Sequence, residues 1–217
     1  MTKQRYDYNT INMKRIFVTG ISTDVGKTIA SAIITEALKA DYWKPVQAGD
    51  LSNTDSHKVA ELISNEKTTI PKSCYELNTP MSPHAAAEID NIQIDLNQII
   101  EPKTENHLVI EGAGGLLVPL NEKDTVLDII KNNYLVVVVS RHYLGSINHT
   151  LLTIERLKQK GFKATVIFSG NEHRSTEDII LRKTDVKVIG RINEEASFDK
   201  SLIKKYATKF YPLLLNI

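Results

Sequence analysis

Residues 17–34 read FVTGISTDVGKTIASAII: an apolar run, a glycine, five residues, Gly-Lys-Thr, and then apolar residues at helical spacing. An apolar strand that enters a glycine-bounded turn and leaves as a helix directs backbone amides and the helix N-terminus onto an anion, above all a phosphate. In that reading Gly20 and Gly26 permit the tight fold, Lys27 reaches the outer phosphates and Thr28 offers a hydroxyl to Mg²⁺. The competing reading is a plain glycine turn with a solvated lysine. Loop, Gly-Lys-Thr and both flanking elements agree, so nucleotide binding is preferred, although five residues separate the glycines where four are usual.

Outward from this loop, apolar runs of strand length alternate with stretches of helical period. The runs are RIFVT (15–19), YWKPV (42–46), HLVIE (107–111), LVVVV (135–139), ATVIF (164–168) and KVIGRI (187–192). Helical spacing is read at 28–39, 55–63, 126–131, 147–160 and 202–207, with a further helix start at SPHAAA, where Ser82 would cap and Pro83 lie early. The alternation predicts an α/β fold: one P-loop NTPase domain over 13–217, its mostly parallel sheet flanked by helices on both faces. Residues 1–12 precede Met13 and the first strand and are set apart as an extension, a candidate for disorder or for an upstream start site.

Composition narrows the class. With 217 residues, 41% of them hydrophobic, the chain can bury a full core as one domain. Its longest apolar run, 135–139, is far below the roughly 20 residues needed to cross a bilayer. The polar N-terminus lacks a signal-peptide core, and a lone cysteine, Cys74, excludes an internal disulfide and suits a reducing cytoplasm. Cys74 is expected as a small buried or half-buried side chain. A net charge of +1 with 27 scattered basic residues is not the footprint of a nucleic-acid binder. A small-molecule partner is expected, with no nucleic acid and no membrane.

Four further segments stand in order after the loop: WKPVQAG (43–49), NTDSHKV (53–59), EGAGG (111–115) and LGSINH (144–149). Together with SPHAAA and the long loop they resemble the dethiobiotin synthetase family over most of the chain, from Lys14 to about Asn171. The resemblance implies ATP-dependent conversion of 7,8-diaminononanoate and CO₂ into dethiobiotin, ADP and phosphate. One amine captures CO₂ as a carbamate, the carbamate takes the γ-phosphoryl group as a mixed anhydride, and the second amine closes a cyclic urea. Charge gathers on carbamate and phosphate together, which asks for positioning and electrostatic stabilisation.

By the same resemblance Lys27, Lys44 and Thr23 carry the catalysis. Thr28, Asp55 and Glu111 hold Mg²⁺, and Asp24, Val25, Gly26, Ile29, Gly112, Ala113 and Gly114 complete the nucleotide site, with Asn171 recognising adenine. Ala48, Ser82, Pro83 and the helix start Gly145, Ser146, Ile147 and Asn148 face the substrate, the last four across the interface of a homodimer with composite sites. Read on their own, Asp55 is a helix cap, Glu111 a strand-end carboxylate met by backbone amides, Asn171 a turn residue and Lys44 a solvated lysine. His84 and His149 receive no catalytic role.

Three features depart from the family. LKADYWKPV lacks the glycine usual between first helix and second strand, which points to a reshaped helix end. Ala48 replaces a hydroxyl, and GRINEEA lacks a proline, which leaves the adenine pocket and the nucleotide preference open, with ATP the default. The other class considered is a regulatory P-loop ATPase of the partitioning type. Such proteins carry an extra lysine early in the loop, where this chain has Ile21, Ser22 and Thr23, and often end in an amphipathic helix, for which the terminal FYPLLLNI is read as too short. Amidotransferase-linked cobyrinate ligases need a glutaminase domain and nucleophilic cysteine that this chain lacks.

Overall fold

In the computed structural model, which describes residues 13–217, β1 (Arg15–Gly20) is buried from Ile16 onward. It lies at the middle of a six-stranded sheet in which every pairing is parallel. The sheet is completed by β2 (Asp41–Trp43), β5 (Leu108–Gly115), β6 (Leu135–Arg141), β7 (Ala164–Ser169) and β8 (Lys187–Ile192), in the order β2-β5-β1-β6-β7-β8. Two-sided burial explains the unbroken apolar runs: Phe17, Val18, Ile110, Val137 and Val138 are wholly removed from water, each worth about 1.5–3 kcal/mol. The chain steps from β1 to one side of the sheet and later returns to the other. The crevice at the carboxyl ends beside β1 is where such sheets bind ligands.

Helices α1 (Lys27–Leu38), α2 (Asp55–Leu62) and α6 (Lys200–Leu215) pack together, and α4 (Ser146–Gln159) and α5 (Arg174–Thr184) form the opposite layer. A short helix, α3 (Pro83–Ile89), starts as expected with Ser82 at its cap position and Pro83 first, although the Ser82 side chain makes no capping bond. The extension expected at 1–12 lies outside the described residues.

The structure corrects several expectations. YWKPV is not one strand: β2 stops at Trp43, and the chain resumes as β3 (Val46–Ala48), which leaves the main sheet to pair with β4 (Tyr75–Leu77). Pro45 has no N–H to extend the ladder, and it biases the residue before it. Its carbonyl instead accepts from Cys74 N and Tyr75 N at 2.9 and 3.2 Å. Cys74 is exposed, not buried. Residues 126–131 form only a 3₁₀ turn, Val126–Ile129. Helix α5 went unread because two of its four buried positions carry Glu177 and Thr184, and a third Thr176, which erases the apolar period. FYPLLLNI is the end of the 16-residue α6, whose Ile203, Tyr206, Phe210 and Leu214 are buried, with α6 packed on α1. The reshaped helix end is real: Lys39 caps α1 in the left-handed region at φ 51°, and its carbonyl accepts from Asn106 Nδ2 at 2.7 Å.

Candidate active site

The phosphate loop is closed from within. A side chain on Gly20 would meet Val25 Cγ2 at 2.6 Å and the Ser22 carbonyl at 2.8 Å, so only glycine lets the loop wind this tightly. Gly26, at φ 94°, caps α1 and turns its free N-terminal amides toward the cleft. Val25 is buried beneath the loop, and Lys27 folds back to donate to Ser22 O at 3.2 Å. Burial lowers the Lys27 ammonium pKa, with Lys44 adding to the effect and Glu111 opposing it.

Lys44 follows the last residue of β2 and is 4% exposed. Its Nζ donates to Asp55 Oδ2 at 2.5 Å, Glu111 Oε1 at 3.0 Å and Gly112 O at 3.4 Å. Burial works to lower its pKa, but Glu111 and Asp55 prevail and the ammonium is held charged, above its ordinary value. Asp55 is not the cap of α2. Thr54 takes that place, its hydroxyl accepting from His57 N while its own N–H donates to His57 Nδ1, both at 3.2 Å. That leaves the Asp55 carboxylate free to face Lys44. Burial alone would raise its pKa, yet Lys44, with Lys58, brings it below the usual carboxylate range. Glu111, 1% exposed, is met by side chains and not by backbone amides: Thr28 Oγ1 at 3.0 Å, Lys44, and Tyr42 OH at 2.9 Å.

A hydroxyl and two carboxylates are the hard-oxygen set that Mg²⁺ takes together with phosphate oxygens and water. Asp55 and Glu111 both accept from the Lys44 ammonium, and Thr28 donates to Glu111, so the three oxygens stand together beside a positive charge and their chemistry suits a cation. Among the described residues no three His, Cys, Asp or Glu side chains form a metal cluster on their own.

These groups line a cleft of about 1010 Å³. Thr23, Asp24, Gly26, Lys27, Thr28 and Ile29 form its loop side, and Glu111, Ala113 and Gly114 its floor. Ala48, Ser82 and Pro83 also line it, and Lys44 and Asp55 join the loop side through Glu111 and Thr28. Gly112 lies just behind, where a side chain would meet Val126 Cγ1 at 3.0 Å. The remaining expected residues are not brought to this cleft. Asn171 is exposed just past the end of β7 and is not among its lining. Gly145 caps α4; Ser146 is buried, and Ile147 and Asn148 face outward. Nearby, a second cavity of about 410 Å³ lies between the loop residues Ile21–Thr23 and the α4 residues His149 and Leu152. Thr23 borders both cavities.

Sequence reading missed Tyr42, Gln47, Arg141 and Phe198. Gln47 accepts from Asp55 N at 3.3 Å and donates to Gly49 O at 2.9 Å, so it steadies the start of α2. Arg141 and Phe198 line the cleft, and Arg141 Nη2 holds both Glu194 oxygens at 3.0 Å. Tyr42 had a signal: where YWKPV is read as a strand it stands two residues before Lys44 and so on the same face, and although β2 ends at Trp43 both side chains do reach Glu111.

A parallel sheet whose central strand runs through a glycine loop into a helix, with a buried lysine at the loop's mouth, defines a P-loop nucleoside triphosphatase. The family described as AAA domain matches residues 14–201. An ATP-dependent dethiobiotin synthetase of Christiangramia forsetii is 59% identical over 94% of this chain and 99% of its own, and one of Cytophaga hutchinsonii 46% identical over 92% and 98%. The chain belongs to the ATP-dependent dethiobiotin synthetase family. In fold alone it is similar to a putative plasmid partition protein of Borrelia burgdorferi solved with AMPPNP (TM-score 0.60, 16% identity, covering 94% of this chain and 99% of that one). The MinC:MinD cell division complex of Aquifex aeolicus is comparable, with TM-score 0.59 and 15% identity over 94% and 96%.

Proposed function

We propose that this chain closes the cyclic urea of dethiobiotin from 7,8-diaminononanoate and CO₂ at the expense of ATP. The observation that carries the reading is Lys44, a buried ammonium held charged between two carboxylates at the phosphate end of a cleft large enough for both substrates. The 59% identity to a dethiobiotin synthetase supports the choice of substrate.

In this reading the loop amides and Lys27 hold the outer phosphates of ATP, and Thr23 faces the same oxygens. Lys44 lies against carbamate and γ-phosphate, where a fixed positive charge lowers the energy of the transferring group in a site shielded from water. Thr28, Asp55 and Glu111 would hold Mg²⁺, which supplies further charge to the phosphoryl oxygens. Ala48, Ser82 and Pro83 line the diamine side. The outward-facing α4 start, with free amides suited to an anion, receives the carboxylate of a substrate bound to the partner subunit in a homodimer. The lone cysteine suits a cytoplasmic protein, and no helix among the described residues is long and apolar enough to cross a membrane.

Phosphate release from ATP, measured with and without diaminononanoate and bicarbonate, tests the reading. Release that requires both supports it; release indifferent to both favours the second reading, a regulatory ATPase of the partitioning type.

A further inference from the structure

Glu111 has two carboxylate oxygens with different surroundings. Oε1 accepts from Thr28 Oγ1 and Lys44 Nζ, both at 3.0 Å, and so belongs to the cleft. Oε2 accepts from Tyr42 OH at 2.9 Å, in the core. Tyr42 is wholly buried and anchored by its backbone: it lies opposite Val109 in the β2–β5 ladder, and its N–H donates to Thr69 O at 3.1 Å. The terminal torsion of a glutamate is broad and nearly two-fold, so nothing intrinsic to Glu111 decides which oxygen faces the cleft or at what angle.

We infer that Tyr42 is the positioning residue for Glu111: by holding Oε2 in the core, its hydroxyl leaves Oε1 as the single oxygen offered to Lys44 or to a divalent cation. This inference rests on the reading that Glu111 contributes to a metal site. A one-oxygen ligand at a set angle matters for Mg²⁺, which demands near-ideal octahedral geometry. Groups that orient a metal ligand by hydrogen bonding typically carry ten- to a hundredfold in metal affinity. Tyr42 works from behind, touching neither substrate nor reacting atoms.

The test is Mn²⁺ binding to the enzyme with the non-hydrolysable analogue AMP-PNP, followed by electron paramagnetic resonance in the wild type, Tyr42→Phe and Glu111→Gln. ADP affinity without metal and melting temperature are measured beside it. Phenylalanine keeps the ring and fills the same space. The expected result is a loss of about tenfold or more in Mn²⁺ affinity for Tyr42→Phe, with metal-free ADP affinity unchanged. Mn²⁺ affinity within about twofold of wild type in Tyr42→Phe, while Glu111→Gln weakens it, overturns the positioning role alone. Equal losses of Mn²⁺ and metal-free ADP binding also overturn it, since that is general damage to the cleft. If Glu111→Gln leaves Mn²⁺ binding intact, the metal reading beneath the inference fails.

Discussion

Lys44 Nζ lies 2.5 Å from Asp55 Oδ2, so the first residue of α2 is tied to the tip of β2 across the mouth of the cleft. The tie joins a nearly inaccessible ammonium, its side chain 5% exposed, to a carboxylate that is 20% exposed. Removing one member of a buried pair costs about 3–5 kcal/mol, because the other is left uncompensated. Lys44→Ala is therefore expected to melt well below wild type, and Asp55→Asn placed in the same chain to recover part of the loss; calorimetry of both variants decides. The functional losses should also divide. Lys27→Ala should lose ATP affinity and turnover together, whereas Lys44→Ala should bind ATP within a few-fold of wild type and lose turnover. Wild-type turnover in Lys44→Ala would exclude its role.

Composite sites predict complementation between subunits. Lys27→Ala disables the phosphate loop, and Asn148→Asp places a negative charge at the exposed α4 start that would receive the substrate carboxylate. Mixed and exchanged, the two inactive proteins should regain part of the wild-type turnover, because one site of each heterodimer has both halves intact. Exchange verified by mass spectrometry with no return of activity would exclude binding in trans.

At Ala48 the cleft presents a methyl where the family resemblance leads one to expect a serine or threonine hydroxyl. A hydrogen bond is worth about 0.5–1.5 kcal/mol net, and 1.4 kcal/mol is tenfold in binding. Ala48→Ser is expected to lower the KM for diaminononanoate severalfold, by at most about tenfold, and to leave the KM for ATP unchanged. An unchanged diamine KM would mean that a bridging water already fills the role.

Stability should titrate through Glu36, far from the chemistry. Its carboxylate gathers Ser64 N and Oγ at 2.8 and 2.6 Å and Asn65 N and Nδ2 at 3.0 Å, which ties α1 to the segment after α2. Burial raises its pKa, but the bonds from Ser64 and Asn65 outweigh this and bring the folded value below the ordinary 4.5. A depressed folded value gives stability that is full above pH 4.5 and lost as pH falls through the folded value. Glu36→Gln should melt several degrees below wild type at pH 7, and the gap should close as the pH falls from 4.5 through the depressed folded value. A gap independent of pH would show that the charge is not what matters.

What could be read from residues alone follows a physical line. The phosphate loop and most of the parallel strands were legible because local sequence dictates them: glycines at fixed offsets and two-sided apolar runs; the start of α2 was legible at NTDSHKV, but its cap is Thr54 and not Asp55. That Lys44, Asp55 and Glu111 share one site was legible only through family resemblance, which gave the two carboxylates to Mg²⁺ and did not pair them with Lys44; the three are distant in the chain and each alone has a bland reading. The break at Pro45 is hidden because Tyr42, Trp43 and Val46 give the run a strand-like apolar content across Lys44 and Pro45. Helix α5 stayed hidden because Glu177 packs inward, where it accepts from His173 N at 3.2 Å and meets His142 Nε2 at 2.8 Å, so a charge stands where the pattern needs an apolar residue. Arg141 and Phe198 have no motif, and only folding brings the ends of β6 and the loop after β8 to one cleft.

Pro45 has a consequence beyond ending a strand. It divides the cleft into walls of unequal stiffness: the nucleotide side stands on six hydrogen-bonded strands, while Ala48 belongs to a ladder of two three-residue strands. That short ladder is held by packing on β5 and α3 more than by strand pairing, and the least stable segments open first in the native state. Amide protons of β3 and β4 should exchange with deuterium well before those of β1 and β5, and slow when diaminononanoate is added. The diamine then completes the wall it lies against.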